Sequence, residues 1–391
     1  MCLVAPACAR DSAREESGGS PAAQAAPTAV PAAVKVGGRH LHIDGIRFVG
    51  EDGRTVPWRG ITSFRLLEQL AAGRHDHVDS YLAWAAQEHL TVVRVLAMAK
   101  HLFALPPDKG RAQLDDLLKR AGRHNIYVEI VALADTADHP VSVEEQVRAV
   151  GEIAARHPNA IVEIANEPYH STQRSEVQQA GTLTKLMALV PEPIPVALGA
   201  WHEADASAGG DFVTFHFPRS IRHDGWGHVS ELAAGRDMLQ KFRKPVINDE
   251  PIGAGSAFQP GRRDDSPDRF RAAALLTRMT GMGGTFHYEA GLQSEIPTGR
   301  ELECFRAWQE AWTRLPADVE AWEFRAAGDE GAAARVDGES AGAWVSQRGD
   351  EAWVLIAGER GEIRVEWAAG WRQIEATTWP GSRLLRAART R

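Results

Sequence analysis

Two apolar runs of strand length end alike: residues 161–165 lead into Asn166-Glu167-Pro168, and residues 245–247 into Asn248-Asp249-Glu250-Pro251. A carboxyl at the end of a buried strand is held by a rigid element and faces whatever the strand ends surround. Two such groups brought to ~5–5.5 Å suit double displacement at a sugar's anomeric carbon, where one protonates the leaving oxygen and the other attacks. The roles demand different surroundings: burial and a nearby negative group for the proton donor, hydrogen-bond donors for the nucleophile. An isolated Asn-Glu-Pro reads equally well as a helix entry, because Asn and Pro both favour helix starts. Asp249 competes with Glu250 for the strand-end position, since a slip of one residue reverses the facing. Glu250 is preferred because the shorter aspartate would leave too wide a gap.

The elements that must position these groups alternate along the chain. Strand candidates at 58–62, 92–96, 126–133, 161–165, 194–198, 212–215, 245–247 and 284–286 are separated by amphipathic helical patterns at 77–89, 108–123, 143–156, 176–189, 229–242, 267–280 and 300–315. The segment after the fifth strand, around 204–208, is too short for a full helix. Eight consecutive βα units predict an α/β fold, a closed (β/α)8 TIM barrel whose active site lies at the C-terminal strand ends. The runner-up, an open doubly wound sheet, loses ground because no Gly-x-Gly-x-x-Gly follows the first strand and no Gly-Lys-Ser/Thr phosphate loop occurs. An N-terminal β-hairpin, residues 41–49 and 54–57 about a Glu-Asp-Gly turn, is expected to close one barrel end. The boundaries read as 1–38 for an export segment and linker, 39–317 for the barrel, and 318–391 for a small C-terminal antiparallel β domain.

Within this frame Glu163 shares the parity of Glu167 and points into the barrel, where an unpaired carboxylate is costly. Arg94 is its expected partner, a structural pairing that competes with a catalytic role for the arginine. Trp201 and Trp226 follow strands five and six and are read either as sugar platforms or as helix packing. His287 and Tyr288 fall at the end of strand eight, and either is a candidate to face a sugar. His40-x-His42 and His75-x-His77 lie away from the catalytic strand ends and read as surface histidines rather than metal ligands. Cys304 reads as a small buried apolar residue.

At this point the sequence resembles the retaining glycoside hydrolases of the large (β/α)8 clan that contains the family 5 cellulases and mannanases. The resemblance spans 41–316, and its most specific piece is Glu163-Ile164-Ala165-Asn166-Glu167-Pro168, which is similar to the clan's Glu-x-x-Asn-Glu-Pro. It implies Glu167 as acid/base and Asn166 as a contact of the sugar 2-hydroxyl. Lys244-Pro245-Val246-Ile247-Asn248-Asp249-Glu250 resembles the strand-seven pattern that ends in the nucleophile, Glu250. Arg94 resembles the strand-two arginine that holds that nucleophile, and His216 the histidine of a His-x-Tyr motif, with Pro218 standing in the tyrosine position. Two features depart from the pattern: His287-Tyr288 replaces the usual strand-eight tryptophan, and Ala134-Asp135 ends strand three without the histidine many members carry. They bear on substrate identity more than on the reaction. The implied partner is an oligosaccharide or polysaccharide, with O-glycosidic, β-linked bonds cleaved without metal or cofactor. Transglycosylation at the same site, a binding barrel without turnover and a metal-dependent barrel hydrolase are the rival readings.

The balance of 44 Lys+Arg against 52 Asp+Glu gives a net charge of -8. With no dense basic block, it excludes the electrostatic footprint of a nucleic-acid binder. No run of ~18 apolar residues predicts a transmembrane helix. The 3 cysteines form neither a disulfide framework nor a zinc spacing. The first ten residues resemble the end of an apolar export segment, with Cys8 read as a lipid-attachment or cleavage site and export as the expectation; a disordered cytoplasmic start is the alternative. Residues 10–34, rich in Ala, Ser, Gly and Pro, read as a tether.

Overall fold

The computed structural model describes residues 35–201, 203–217, 225–250 and 265–390. The expectations placed on residues 1–34, with Cys2 and Cys8, and on Pro218 lie outside the described residues.

All eight expected barrel strands form. They are β1 (Arg59–Thr62), β2 (Val92–Leu96), β3 (Tyr127–Leu133), β4 (Ala160–Ala165), β5 (Val196–Ala197), β6 (Val213–Phe215), β7 (Val246–Asn248) and β8 (Gly283–Phe286). They pair in parallel in the order β5-β4-β3-β2-β1-β8-β7-β6. Helices cover one face and side chains fill the other, so every residue of β2, β3 and β4 is buried. That two-sided burial is why these strands read as unbroken apolar runs.

The circle is completed without a strand pair between β5 and β6. The Asp211 N–H donates to the Val196 carbonyl at 2.7 Å, and the Asp211 carboxylate accepts from the Val196 N–H at 2.9 Å. β5 is also shorter than the expected 194–198, because Pro191, Pro193 and Pro195 remove donors before it and Gly199 ends it. Gly199 has φ 116°, and a Cβ there would meet the Ala165 carbonyl oxygen at 2.0 Å.

The hairpin differs from expectation. The stretch 41–49 is not one strand: His42–Asp44 and Arg47–Val49 pair antiparallel about Gly45-Ile46, with Gly45 at φ 58°. The Glu51-Asp52-Gly53 turn follows as a second reversal, held by a bridge from Val49 to Thr55 and by the Gly50 N–H on the Arg54 carbonyl. Left-handed backbone is open to glycine at both turns, and Asp-Gly is the stronger hairpin signal. The hairpin closes the N-terminal end of the barrel as expected: Leu41, Phe48 and Val56 pack with Trp58, Val92, Tyr127, Ile161, Phe212 and Ile247 from the strand starts.

The expected helix 229–242 is interrupted, running as Gly227–Glu231, a 3-10 turn Leu232–Ala234, and Gly235–Phe242. The chain comes so close at Gly235 that a Cβ there would meet the Met282 sulfur at 2.2 Å. The helix expected at 176–189 begins only at Ala180, because the Gln178 amide ties the preceding loop to the His170 and Gln173 carbonyls.

The C-terminal segment folds as seven strands, β9 (Glu323–Ala326), β10 (Ala334–Glu339), β11 (Gly342–Arg348), β12 (Glu351–Ala357), β13 (Arg360–Trp367), β14 (Trp371–Trp379) and β15 (Ser382–Arg389). Five of them make an antiparallel sheet in the order β9-β11-β12-β15-β14, and β10 pairs with β13. Trp344, Trp353, Leu355 and Leu384 join the main barrel core. This explains why helix Pro267–Thr280 is buried throughout from Phe270 to Thr280: it has barrel on one side and sheet on the other. Trp226 belongs to this interface, because a Cβ on Gly358 would meet the Trp226 Cβ at 2.8 Å and one on Gly381 would meet its ring at 2.7 Å. That places it in domain packing rather than on a sugar platform.

Candidate active site

β4 delivers Glu163 inward and then turns sharply. Glu167 sits in left-handed backbone at φ 40°, a conformation that costs a non-glycine residue ~1–3 kcal/mol. The turn is held on both sides, by the Asn166 N–H on the Leu133 carbonyl and by the Gln173 amide on the Asn166 carbonyl. On the opposite side of the ring, Glu250 follows β7. One carboxylate oxygen of Glu167, one of Glu250 and a ring nitrogen of His216 all lie within 4.8 Å of one another.

His216, at the end of β6, stands between the two acids, with Nδ1 3.3 Å from Glu167 Oε1 and Nε2 3.7 Å from Glu250 Oε1. The Tyr169 hydroxyl donates to Glu167 Oε1 at 2.9 Å. Burial opposes ionisation of Glu167, but the hydrogen bonds from His216 and Tyr169 outweigh it and repulsion from Glu250, leaving the carboxyl below its ordinary value. Burial alone would lower His216, yet Glu250 and the bond to Glu167 raise it above the usual imidazole value. Both directions favour imidazolium beside carboxylate over imidazole beside carboxylic acid.

Arg94 lies beneath, fully buried. Its guanidinium grips Glu163 through Nε (2.9 Å) and Nη2 (3.1 Å), donates from Nη2 to Asn166 Oδ1 at 3.1 Å, and reaches Glu250 Oε1 from Nη1 at 3.5 Å. Arg94 thus makes the expected pair with Glu163 and also faces Glu250. Because Arg94 takes the Asn166 oxygen, the Asn166 amide nitrogen is turned away from it.

His287 is buried beside Glu250, its Nε2 3.5 Å from Glu250 Oε2. Tyr288 is displaced from the expected mouth position. Its residue is 1% exposed, with its ring among Phe270 and Phe286, so it presents no face to a sugar. Trp201 is half-buried after β5 and packs on the barrel core. Its indole nitrogen is buried without a hydrogen-bond partner among the described residues. The His77 ring bonds the Ser294 carbonyl and the His75 ring meets Arg120, both away from the strand ends. Cys304 is buried, as its pattern predicts.

Sequence reasoning missed a second cluster. Glu129, Glu163 and Asp249 bring carboxylate oxygens within 4.8 Å of one another in the barrel interior. Glu129 and Asp249 face Arg94 Nε at 3.7 and 3.8 Å, and none of their four oxygens has a hydrogen-bond partner among the described residues. Asp249 is therefore a deep interior group, and Glu250 is the one that opens toward the mouth. The available signal was Glu129 itself, a charge inside an otherwise apolar parallel strand. Four carboxylates cannot all ionise around one buried guanidinium. Burial, with repulsion from Asp249 and Glu163, holds Glu129 well above its ordinary value. Burial likewise raises Asp249, to about 7 despite Arg94.

These raised values predict the pH dependence of folding. A carboxyl that keeps its proton in the folded state favours folding below its unfolded pKa, and this contribution is lost as pH rises through the folded value. The loss falls between about pH 4 and pH 7 and is on the order of 3–4 kcal/mol. Asp249→Asn should flatten this slope and be more stable than the parent at pH 7.5 but not at pH 4.5. Urea melts at the two pH values measure it, and parallel curves for parent and variant would refute the protonated interior.

No protein-family model matches the chain, and no curated protein matches its sequence. Among solved structures, the fold is similar to a glycoside hydrolase at TM-score 0.59 and 12% identity, covering 91% of this chain and 98% of that one. It is similar to a glycoside hydrolase family 5 protein from Bacteroides vulgatus at TM-score 0.54 and 16% identity, covering 93% and 95%. It is also similar to a β-glucanase from Saccharophagus degradans, solved in complex with cellotetraose, at TM-score 0.52 and 13% identity, covering 74% and 96%. At such identities the likeness is one of architecture: the chain has the (β/α)8 barrel fold found in family 5 glycoside hydrolases, with a C-terminal β domain packed against it.

Proposed function

We propose that this protein is a retaining glycoside hydrolase acting on β-linked oligosaccharides or polysaccharides, with Glu167 as acid/base and Glu250 as nucleophile. The observation that carries the reading is the proximity of the two carboxyls, with one oxygen of each within 4.8 Å of the other. Retention needs ~5–5.5 Å, whereas inversion needs ~6.5–9.5 Å to admit a water. The cellotetraose bound to the β-glucanase supports a β-linked glycan as substrate.

The directions of the two shifts oppose an acid role for Glu167, since they favour a carboxylate beside an imidazolium. The proton count answers this. Imidazolium with carboxylate and imidazole with carboxylic acid hold the same single proton, 3.3 Å from one partner to the other. Substrate that excludes water disfavours the buried ion pair and draws the proton to Glu167. Glu167 then protonates the glycosidic oxygen as Glu250 bonds to the anomeric carbon. In this reading the Asn166 amide nitrogen, its oxygen taken by Arg94, donates to a sugar hydroxyl. Glu167 next takes a proton from water, which displaces Glu250 and leaves the product with its original anomeric configuration. A sugar hydroxyl in place of water gives transglycosylation from the same intermediate. Export with Cys8 as a lipid anchor remains part of the proposal, supported by the small residues about Cys8 and by a substrate class found outside cells.

NMR of the first product from aryl β-D-glucosides and β-D-mannosides tests the mechanism: retained β-configuration is expected, and an α-product would sink it. On the alkaline side kcat/KM should fall as one proton leaves, with a midpoint above 6.5 because His216 is raised. Binding of cello- or manno-oligosaccharides with no turnover across the panel would favour the binding barrel instead.

A further inference from the structure

His287 has a different task from the sugar contact its strand-end position suggests. Its Nδ1 lies 2.8 Å from Thr62 Oγ1, a buried contact across the β1–β8 pair. Thr62 is itself fully buried, and this is the only hydrogen bond its side chain makes among the described residues. A hydroxyl carries one proton that must be given to something, and a buried unsatisfied donor is costly. The available acceptor is Nδ1. An imidazole that accepts at Nδ1 carries its hydrogen at Nε2, the atom 3.5 Å from Glu250 Oε2. The opposite tautomer would place hydrogens on both sides of the Thr62 contact or leave the hydroxyl's proton without an acceptor. Protonation of the ring creates the same conflict, so the Thr62 contact disfavours the imidazolium. Phe64 packs edge-on against the imidazole and restrains its plane.

We infer that Thr62 and His287 form a positioning pair for the nucleophile, in which Thr62 fixes the His287 tautomer so that a neutral N–H is aimed at Glu250 Oε2. The inference rests on the proposed role of Glu250 and adds a division of labour to it. Oε1 faces the charged groups, Arg94 and His216, whereas Oε2 faces a neutral donor. The neutral donor holds the carboxylate plane toward the sugar without adding a charge of its own to blunt its attack. When water displaces the glycosyl-enzyme ester, the departing carboxylate regains that hydrogen bond, which makes it a better leaving group. The pair acts on the chemical steps, and substrate affinity is left largely alone.

Thr62→Val keeps the shape of the side chain and removes the proton donor. We expect kcat to fall about 10- to 100-fold, the usual effect of losing an orienting partner, with KM for an aryl β-glycoside changed less than threefold. Thr62→Ser restores the hydroxyl and should recover most of the rate. A Val variant with parental kcat, or a loss in Thr62→Ser equal to that in Thr62→Val, would overturn the inference even while the parent still gives a retained product. The tautomer is read without turnover by long-range 1H–15N correlation, with the His287 signal assigned by its loss in His287→Gln. A proton at Nε2 and a bare Nδ1 are expected in the parent, and a spectrum showing Nδ1–H would overturn the inference even if every sugar tested were refused. Failure of the mechanism as a whole would appear differently, as an inverted product or as absent turnover with the predicted tautomer intact.

Discussion

Glu250→Gln is expected to lower kcat by ~10⁴–10⁶-fold on any hydrolysed glycoside, the range seen when a covalent nucleophile is removed. The amide keeps the shape of the carboxylate, so the fold should survive, but it has no oxygen able to form an ester at the anomeric carbon. The change also removes the negative charge that faces Arg94, His216 and His287. Glu250 is the strongest influence holding His216 above its ordinary value against burial, so the variant's imidazole should lose its proton at lower pH. Two measurements separate these effects. Mass spectrometry after incubation with a 2-deoxy-2-fluoro-β-glycoside should find one sugar on a Glu250 peptide of the parent and none in the variant. NMR titration should show His216 shifted to lower pH in the variant. Label on Asp249 instead would reassign the nucleophile, and full activity of Glu250→Gln would end the proposal.

The second large effect concerns stability. Arg94→Met should destabilise the fold by about 3–5 kcal/mol at neutral pH, the usual cost of removing one side of a buried ion pair. Arg94 faces Glu129, Glu163, Asp249 and Glu250, and Glu163 is gripped through two nitrogens. Without the guanidinium those carboxyls are folded most cheaply as neutral acids. The folded pKa values of Glu129, Glu163 and Asp249, already raised, then rise further above the unfolded ones, so the variant should be closest to parental stability at acid pH and diverge as pH rises. Denaturant melts from pH 4.5 to 8 measure this, and a deficit independent of pH would show that lost packing, not charge, is the cause. Asn166 should also lose its fixed amide orientation, which appears separately as weaker binding of substrate analogues.

Much of the architecture was legible because burial on both faces of a parallel strand leaves a recognisable apolar run. All eight strands were found on that signal. The carboxyls Glu167 and Glu250 stood out because charge placed directly after such a run must sit at a strand end. Glu129 carried the same kind of signal within β3 and went unread, since a lone charge in a strand gains meaning only with its neighbours around the ring. Departures arose where distant groups decide the outcome. The prolines before β5 are visible in the chain, but the Asp211 carboxylate that closes the barrel beside it depends on two segments meeting. Trp226 follows β6 as a platform residue would, and the glycines of the β domain claim it.

The order of elements, the apolar barrel and the two strand ends that carry acids were written in the chain, because each follows from local alternation and from the cost of burying charge. Which neighbour of a pair faces the site was left to tertiary structure. Asp249 against Glu250 and His287 against Tyr288 differ by one residue, and a strand sends successive side chains to opposite faces. Only the closed ring, with Arg94 below Glu250 and Thr62 beside His287, determines that Glu250 faces Glu167 and His216 and that His287 faces Glu250, while Asp249 and Tyr288 turn into the interior.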